Sequence, residues 1–271
     1  MLPNSKYFQN PEFGFPYLPQ FDGEEKIKQC RYLIEQSKNI VILTGAGMST
    51  DSGLPDFRSQ DGLYINSKEK IKPEELLSIG FFKRNGNAKK TYDFLNKKLD
   101  VKNVKPNKGH KLLADLETKK NVQIITQNID GLHQMAGNKN VLEFHGTLKT
   151  ATCMKCGKKY NMDDIRHNNE FYCDCKINSH KGLIKPDIVF YDEPVNLLQD
   201  AISIVQKSDL MIVLGTSLKV SPFNMLPQYT RAGVPIIVIN NDDTYLNDDR
   251  MSVCFKDNIK DTLEKIINRV N

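Results

Sequence analysis

The sequence predicts an α/β fold: an open, mainly parallel Rossmann-like sheet with helices on both faces, plus a smaller domain inserted in two segments. Three observations carry this. Apolar runs of strand length recur at 39–44, 122–126, 141–144, 187–191, 209–214 and 234–239, without the polar alternation of a half-solvated sheet. Helical stripes lie between several of them. Two polar stretches break the pattern: about 57–109 is helical and lysine-rich, and about 148–185 holds four of the six cysteines. A chain of 271 residues accommodates one large domain with a satellite. The expected division is an N-terminal arm over 1–25, a sheet domain over 26–56, 110–147 and 186–271, and a small domain from 57–109 and 148–185.

In chain order, the arm places Phe8, Phe13, Phe15, Tyr17 and Phe21 among four prolines, and is expected to clamp onto its own body. It lacks the apolar centre of a signal peptide, and no run approaches the roughly 18 apolar residues of a membrane span, so a cytoplasmic protein without membrane contact is expected. Glu24 to Ser37 sets Ile27, Cys30 and Ile34 on one helical face. Further helical stripes are Leu112, Leu113 and Leu116; Leu198, Ile202 and Val205; and Ile259, Leu263, Ile266 and Val270. The net charge is +5, and lysines and arginines gather between Lys83 and Lys108. A solvated helical face accounts for them at so modest a charge, and no nucleic acid is expected.

The first strand runs into Gly45-Ala46-Gly47-Met48-Ser49-Thr50 and on to Gly53, Asp56, Phe57 and Arg58. A buried strand entering a glycine-rich turn is where an open α/β sheet binds a nucleotide, and the N–H groups of a following helix would attract its phosphates. The turn departs from the dinucleotide fingerprint: Thr50 stands where the third glycine belongs, and no acidic residue closes a second strand. A nucleotide without hydride transfer is therefore expected. No P-loop lysine is present.

Other strand ends carry polar groups. Gln127, Asn128 and Asp130 follow the strand at 122–126, and His145-Gly146 follows 141–144. Gly215, Thr216 and Ser217 follow 209–214, and Asn240-Asn241-Asp242 follows 234–239. In a parallel sheet these ends line one crevice. Taken singly, the 127–130 segment also reads as an Asx turn and His145 as a structural histidine or a general base. The joint pattern outweighs any one of them.

Cys153, Cys156, Cys173 and Cys175 form two close pairs, a spacing suited to tetrahedral zinc. Disulfides are the rival reading, disfavoured in the cytoplasm. His167 and His180 are substitutes if the tight second pair fails to chelate. Four thiolates leave no open position, so the zinc would be structural. Cys30 and Cys254 read as small buried hydrophobes.

Residues 26–270 resemble the sirtuins, NAD-dependent protein deacylases. The likeness rests on Gly45-Ala46-Gly47-x-Ser49 through Ser52-Gly53-x-Pro55-Asp56-Phe57-Arg58, on Gln127-Asn128-Ile129-Asp130, on His145-Gly146, on the cysteine pairs, on Lys185 to Glu193, and on Gly215-Thr216-Ser217-Leu218-x-Val220-x-Pro222. It implies that Gly45, Ala46, Ser217 and Asn240 hold the phosphates, ribose and adenine of NAD, with Gly47, Ser49, Asp56, Gln127, Gly215, Thr216 and Asn241 among the cofactor contacts. Phe57 would cover the nicotinamide end, Arg58 would organise the loop, and Ile129 would shape the nicotinamide pocket. Asn128 and Asp130 would position the nicotinamide ribose and carboxamide, making Asn128 catalytic beside the general base His145. Ile188, Val189, Phe190 and Val220 would pair with an acylated lysine peptide as an added strand. NAD would be a consumed cosubstrate, attacked by the acyl oxygen as nicotinamide leaves, with one structural zinc per chain. The chain departs from the family pattern at Asp192, often glycine, and at Lys185, often arginine. Alignment places Tyr92 and Leu95 where sirtuins preferring acidic acyl groups carry tyrosine and arginine, so acetyl or longer apolar groups are expected. Sirtuin-type ADP-ribosyl transfer to protein and a non-catalytic NAD-binding module are the alternatives.

Overall fold

The computed structural model describes residues 23–56, 71–99, 101, 103–177, 180–246 and 252–267. Phe57, Arg58 and the aromatic residues of the arm lie outside the described residues. Helix α1 (Gly23–Gln36) starts inside the stretch assigned to the arm and leads into β1 (Asn39–Thr44). Two 3-10 turns, Ala46–Met48 and Thr50–Ser52, follow it. The helix expected directly after the glycine turn is therefore absent. Short helices α2 (Pro73–Leu76) and α3 (Ile79–Lys83) precede α4 (Asn87–Lys98). Then come α5 (Lys108–Glu117), β2 (Asn121–Thr126), α6 (Leu132–Ala136) and β3 (Val141–Glu143). The cysteine-bearing segment forms β4 (Gly146–Cys153), β5 (Lys159–Asn161), α7 (Met162–Asn168), β6 (Tyr172–Ile177) and β7 (His180–Ile188). The chain closes with α8 (Leu198–Lys207), β8 (Leu210–Leu214), a 3-10 stretch at Phe223–Tyr229, β9 (Ile236–Ile239), β10 (Val253–Phe255) and α9 (Ile259–Ile267).

The main sheet has the order β10-β9-β8-β1-β2-β3, and every pairing in it is parallel. The chain fills one side of β1, then returns to fill the other. The strand order therefore reverses between β1 and β8, the place where such sheets open a ligand crevice at their carboxyl ends. Both faces are covered. Ile40, Ile42, Ile124, Ile212 and Ile237 share a core with Leu113 of α5 and Leu263 of α9, while Val41, Leu43, Met211 and Val213 pack with Ala201 and Val205 of α8. Burial on both sides explains why β1 and β8 show no polar alternation. Side-chain caps fix helix starts, those of α5 and α3 among them: Asn107 accepts from the His110 N–H at 3.2 Å, and Ser78 from the Phe81 N–H at 3.2 Å.

The run at 187–191 corrects the sequence reading. It supplies no strand to the main sheet. Its first residues end β7, which pairs antiparallel with β4 and β6 in a separate sheet of order β5-β4-β7-β6. The expected boundary between 185 and 186 thus falls within a strand. Phe82 and Tyr92 from the helical insertion share one apolar core with Leu148, Ile165, Ile184 and Phe190.

Two buried imidazoles lie beneath the glycine turn. His110 and His133 meet edge to face with centroids 4.8 Å apart, and His133 Nε2 is 3.1 Å from Thr44 Oγ1. Burial pulls His110 down to about 3, helped by His133, and pulls His133 down to about 4. The unfolded rings take protons near pH 6.5 and the folded rings do not, so stability is intact above that pH and is lost as pH falls below it. At pH 5 the loss is about 2 kcal/mol per ring. Thermal melts should show a falling Tm from pH 6.5 to 5, and a dependence that weakens in His110→Gln; a flat profile would count against neutral rings.

Candidate active site

The two turns beside the switch point are stitched together. The Gly45 N–H donates to the Leu214 carbonyl at 3.0 Å, and the Gly47 N–H to the Gly215 carbonyl at 2.9 Å. The approach leaves no room for a side chain: a Cβ on Gly47 would sit 2.8 Å from Gly215 Cα and 3.0 Å from its carbonyl oxygen. Across the same junction Thr216 Oγ1 donates to Gln127 Oε1 at 2.7 Å.

Behind the turn lies a polar triad from two strand ends. Asn128 Nδ2 donates to the Gly45 carbonyl at 3.0 Å and to Ser49 Oγ at 3.1 Å. Ser49 Oγ donates to Asp130 Oδ2 at 2.7 Å, and the other Asp130 oxygen accepts from Leu132 N–H at 2.9 Å. Burial raises the Asp130 carboxyl above its usual range, against the pull of these hydrogen bonds and of Lys149. The His145 ring packs edge to face on Phe144, with centroids 5.3 Å apart, and its Nδ1 lies 3.2 Å from the Gln127 carbonyl oxygen. That carbonyl fixes Nδ1 as the donor and leaves Nε2 as the neutral acceptor. Burial lowers the ring below the ordinary histidine value, and the Gln127 hydrogen bond opposes the shift.

These groups share one cleft of about 500 Å³. Its walls include Ala46, Gly47, Ser49 and Asp56 from the glycine turn, Gln127 to Asp130, and His145. Ile188, Val189 and Phe190, Gly215 to Ser217, Val220 and Asn240 complete the predicted lining residues. Gly45 and Asn241 do not line it: Gly45 turns its carbonyl to Asn128, and Asn241 borders a separate crevice of about 10 Å³. Asn240 is buried, and its amide donates to the Asp242 carbonyl (2.9 Å) and Thr244 Oγ1 (3.2 Å), so it braces the loop after β9.

A family model for the Sir2 family matches residues 45–222. The NAD-dependent protein deacetylase of Clostridium tetani is 41% identical over 244 residues, covering 89% of this chain and 96% of that one. That of Fusobacterium nucleatum is 40% identical over 248 residues, covering 90% and 92%. The chain belongs to the Sir2 family. Solved structures agree. A Sir2–peptide–NAD+ complex superposes with a TM-score of 0.77 at 35% identity, covering 89% of this chain and 97% of that one. A Sir2 protein bound to a propionylated peptide superposes with a TM-score of 0.77 at 34% identity, covering 91% and 100%.

In this Sir2 chain the four cysteine sulfurs lie within 4.8 Å of one another. Cys153 and Cys175 sulfurs are 3.6 Å apart, and those of Cys156 and Cys173 3.7 Å. Four thiolates at a Zn–S distance of about 2.3 Å on a tetrahedron would stand about 3.8 Å apart. The donors fit zinc, and all four cysteines are free of disulfides. The one-residue spacer does not prevent chelation, because the Cys175 N–H turns back to Cys173 Sγ at 3.4 Å. His167, on α7, is not part of the cluster, and the His180 side chain lies outside the described residues.

Sequence reasoning missed part of the cleft's apolar lining. Leu77, Leu99, Val101 and Leu148 line it, as does Ile129. They come from the inserted segments and carry no linear motif. Tyr92 and Leu95, aligned to the acyl pocket, are instead fully buried in the small domain's core, where the Tyr92 hydroxyl donates to the Ile184 carbonyl at 3.0 Å. They do not line the cleft.

The stitched turns give a direct test. Gly47→Ala should cost about 1–3 kcal/mol, since backbone rather than a flexible side chain must yield. It should weaken NAD binding about tenfold or more by titration calorimetry. Unchanged affinity would show that the close approach does not shape the binding turn.

Proposed function

We propose that this Sir2-family protein removes acetyl or other apolar acyl groups from protein lysine side chains while consuming NAD, and releases nicotinamide and O-acyl-ADP-ribose. The observation that carries the reading is the His145 ring. Its Nδ1 is anchored by Gln127, and its ring lines the cleft shared by the glycine turn and the Asn128–Asp130 segment. When bound, NAD supplies the ribose carbon that accepts the acyl oxygen as nicotinamide departs. Ala46, Gly47 and Ser49 hold its phosphate and ribose groups, and Gly215, Thr216 and Ser217 border them. Asn128 and Asp130 would orient the nicotinamide ribose, and His145 Nε2 would take the proton of its hydroxyl as that oxygen attacks the acyl carbon, after which one water is consumed to release the free lysine amine. The weakly nucleophilic acyl oxygen needs that alignment for its rate. Phe57 and Arg58 keep the roles implied by the family resemblance.

The acylated peptide lies as an added strand along Ile188–Phe190 and Val220. Leu77, Leu99, Val101 and Leu148 favour an apolar acyl tip. A carboxylate set among these side chains would lose hydration, and among the described lining residues the cation is Lys219, on a different segment. The four cysteines hold one zinc, which has a closed coordination shell and a structural role. The enzyme is a transferase by reaction type and works in the cytoplasm, without nucleic acid. No described helix is long and apolar enough to cross a membrane. The proposed division keeps the sheet domain as the NAD-binding part and the two insertions as one small domain.

Incubation with acetylated peptide and labelled NAD, followed by mass analysis, tests the reading. Free lysine peptide, nicotinamide and O-acetyl-ADP-ribose are expected. ADP-ribose added to protein would replace the reading with a transferase acting on protein, and no nicotinamide release with a binding module.

A further inference from the structure

Among the described residues, three non-glycine positions have positive φ: Asn169, Asp192 and Leu218. Two of them belong to the segments along which the peptide is proposed to lie. Strained backbone of this kind persists only where neighbouring contacts enforce it, and it gathers at functional sites. Around Asp192 (φ 68°) those contacts are explicit. The Phe190 N–H donates to Glu193 Oε2 at 2.8 Å, the Glu193 N–H returns to the Phe190 carbonyl at 3.1 Å, and Lys185 Nζ pairs with the same carboxylate at 2.9 Å. Glu193 is thereby neutralised. Asp192 is exposed on the cleft and pairs with no cation among the described residues.

The other segment has a matching device of opposite sign. Leu218 (φ 52°) is buried, and its N–H donates to Thr216 Oγ1 at 3.2 Å. The next residue, Lys219, is exposed and lines the cleft, with Nζ 4.6 Å from the centroid of the Tyr245 ring. The Tyr245 N–H donates to the Ser217 carbonyl at 2.9 Å and ties the backbone of that residue to the segment. The N–H groups of Val189 and Tyr191 bond to His145 and Leu77 rather than to the 215–222 segment. The Asp192 carboxylate and the Lys219 ammonium thus both border the cleft, one on each segment, with Asp242 also on the cleft and Asp243 within electrostatic reach of Lys219.

We propose that Asp192 and Lys219 polarise the peptide groove and act as specificity-determining residues. An acyl-lysine strand is favoured when it carries a basic side chain facing Asp192 and an acidic one facing Lys219. This rests on the deacylase reading above. Both charges are solvent-exposed, so the effect is modest and salt-sensitive.

The test uses acetyl-lysine peptides with alanine flanks, in which a single arginine or glutamate is scanned across two positions on either side. The wild-type protein should prefer arginine over glutamate at one position and the reverse at another, by about two- to fivefold in kcat/KM at low salt. Asp192→Asn keeps the shape and tolerates the left-handed backbone, so it isolates the charge. It should bring the arginine preference to about one while leaving the glutamate preference in place; Lys219→Gln should do the converse. High salt should shrink both preferences in the wild type. Equal ratios at every position, or wild-type ratios retained in both variants, would overturn this inference alone. No turnover of any peptide, the all-alanine one included, would overturn the deacylase reading and the inference with it.

Discussion

His145→Asn should lower kcat/KM for deacylation by about 10²- to 10⁴-fold, the usual range for losing a positioned general base. The asparagine amide can still donate to the Gln127 carbonyl that now lies 3.2 Å from Nδ1. What it lacks is the Nε2 acceptor. Fold and zinc content should therefore survive, as judged by Tm and metal analysis, and the loss should fall on chemistry. The pH profile adds a second readout. Burial lowers the His145 ring below its ordinary value near 6.5, so its base form already dominates at neutral pH. The acid limb of kcat/KM for the wild type should thus lie below pH 6.5, and it should vanish from the residual activity of the variant. Full activity in the variant, or an acid limb well above neutrality, would remove His145 from the reaction.

The parts of this site legible in the sequence are those where chemistry and chain adjacency coincide. Gly45 to Ser49 directly follow an apolar strand, and Gln127 to Asp130 directly follow another, so one rule about strand ends places both groups at the same crevice. The run at 187–191 misleads when its apolar residues are taken without their neighbours. From Ile184 the sequence alternates, with Ile184, Pro186, Ile188 and Phe190 buried and Lys185, Asp187 and Val189 less so. That period of two marks a half-solvated antiparallel strand rather than one covered on both faces. The apolar wall of Leu77, Leu99, Val101 and Leu148 had no such signal, because it forms only when two distant insertions meet over one core. Tyr92 shows the converse failure. An aligned position named it for the acyl pocket, while its ring stacks on Phe171 at 4.6 Å inside that core.

Cys153→Ser should release the zinc and lower Tm by roughly 10 °C, the shift expected if about 3–5 kcal/mol is lost from a chain of this size. The effect should reach the cleft although the metal site performs no chemistry. Gly182, between the sulfurs, has no space for a side chain: a Cβ there would fall against Cys153 Sγ and lie 2.9 Å from Cys175 Sγ. It belongs to β7, which runs on to Ile188, and the next residue, Val189, donates its N–H to the His145 carbonyl at 2.8 Å. Cys153 ends β4, the strand that begins at Gly146 beside the same histidine. Two strands thus tie the cluster to His145 and to the segment proposed to receive the peptide. Loss of metal should raise KM for peptide and lower kcat together, in proportion to the loss of fold. A catalytic metal would instead move the acid limb of the pH profile and leave Tm largely unchanged. Chelation of the wild-type protein should reproduce the loss, with rescue by added zinc, whereas the Cys153→Ser variant should resist rescue. A metal-free variant with full stability would show that the four sulfurs do not hold the small domain together.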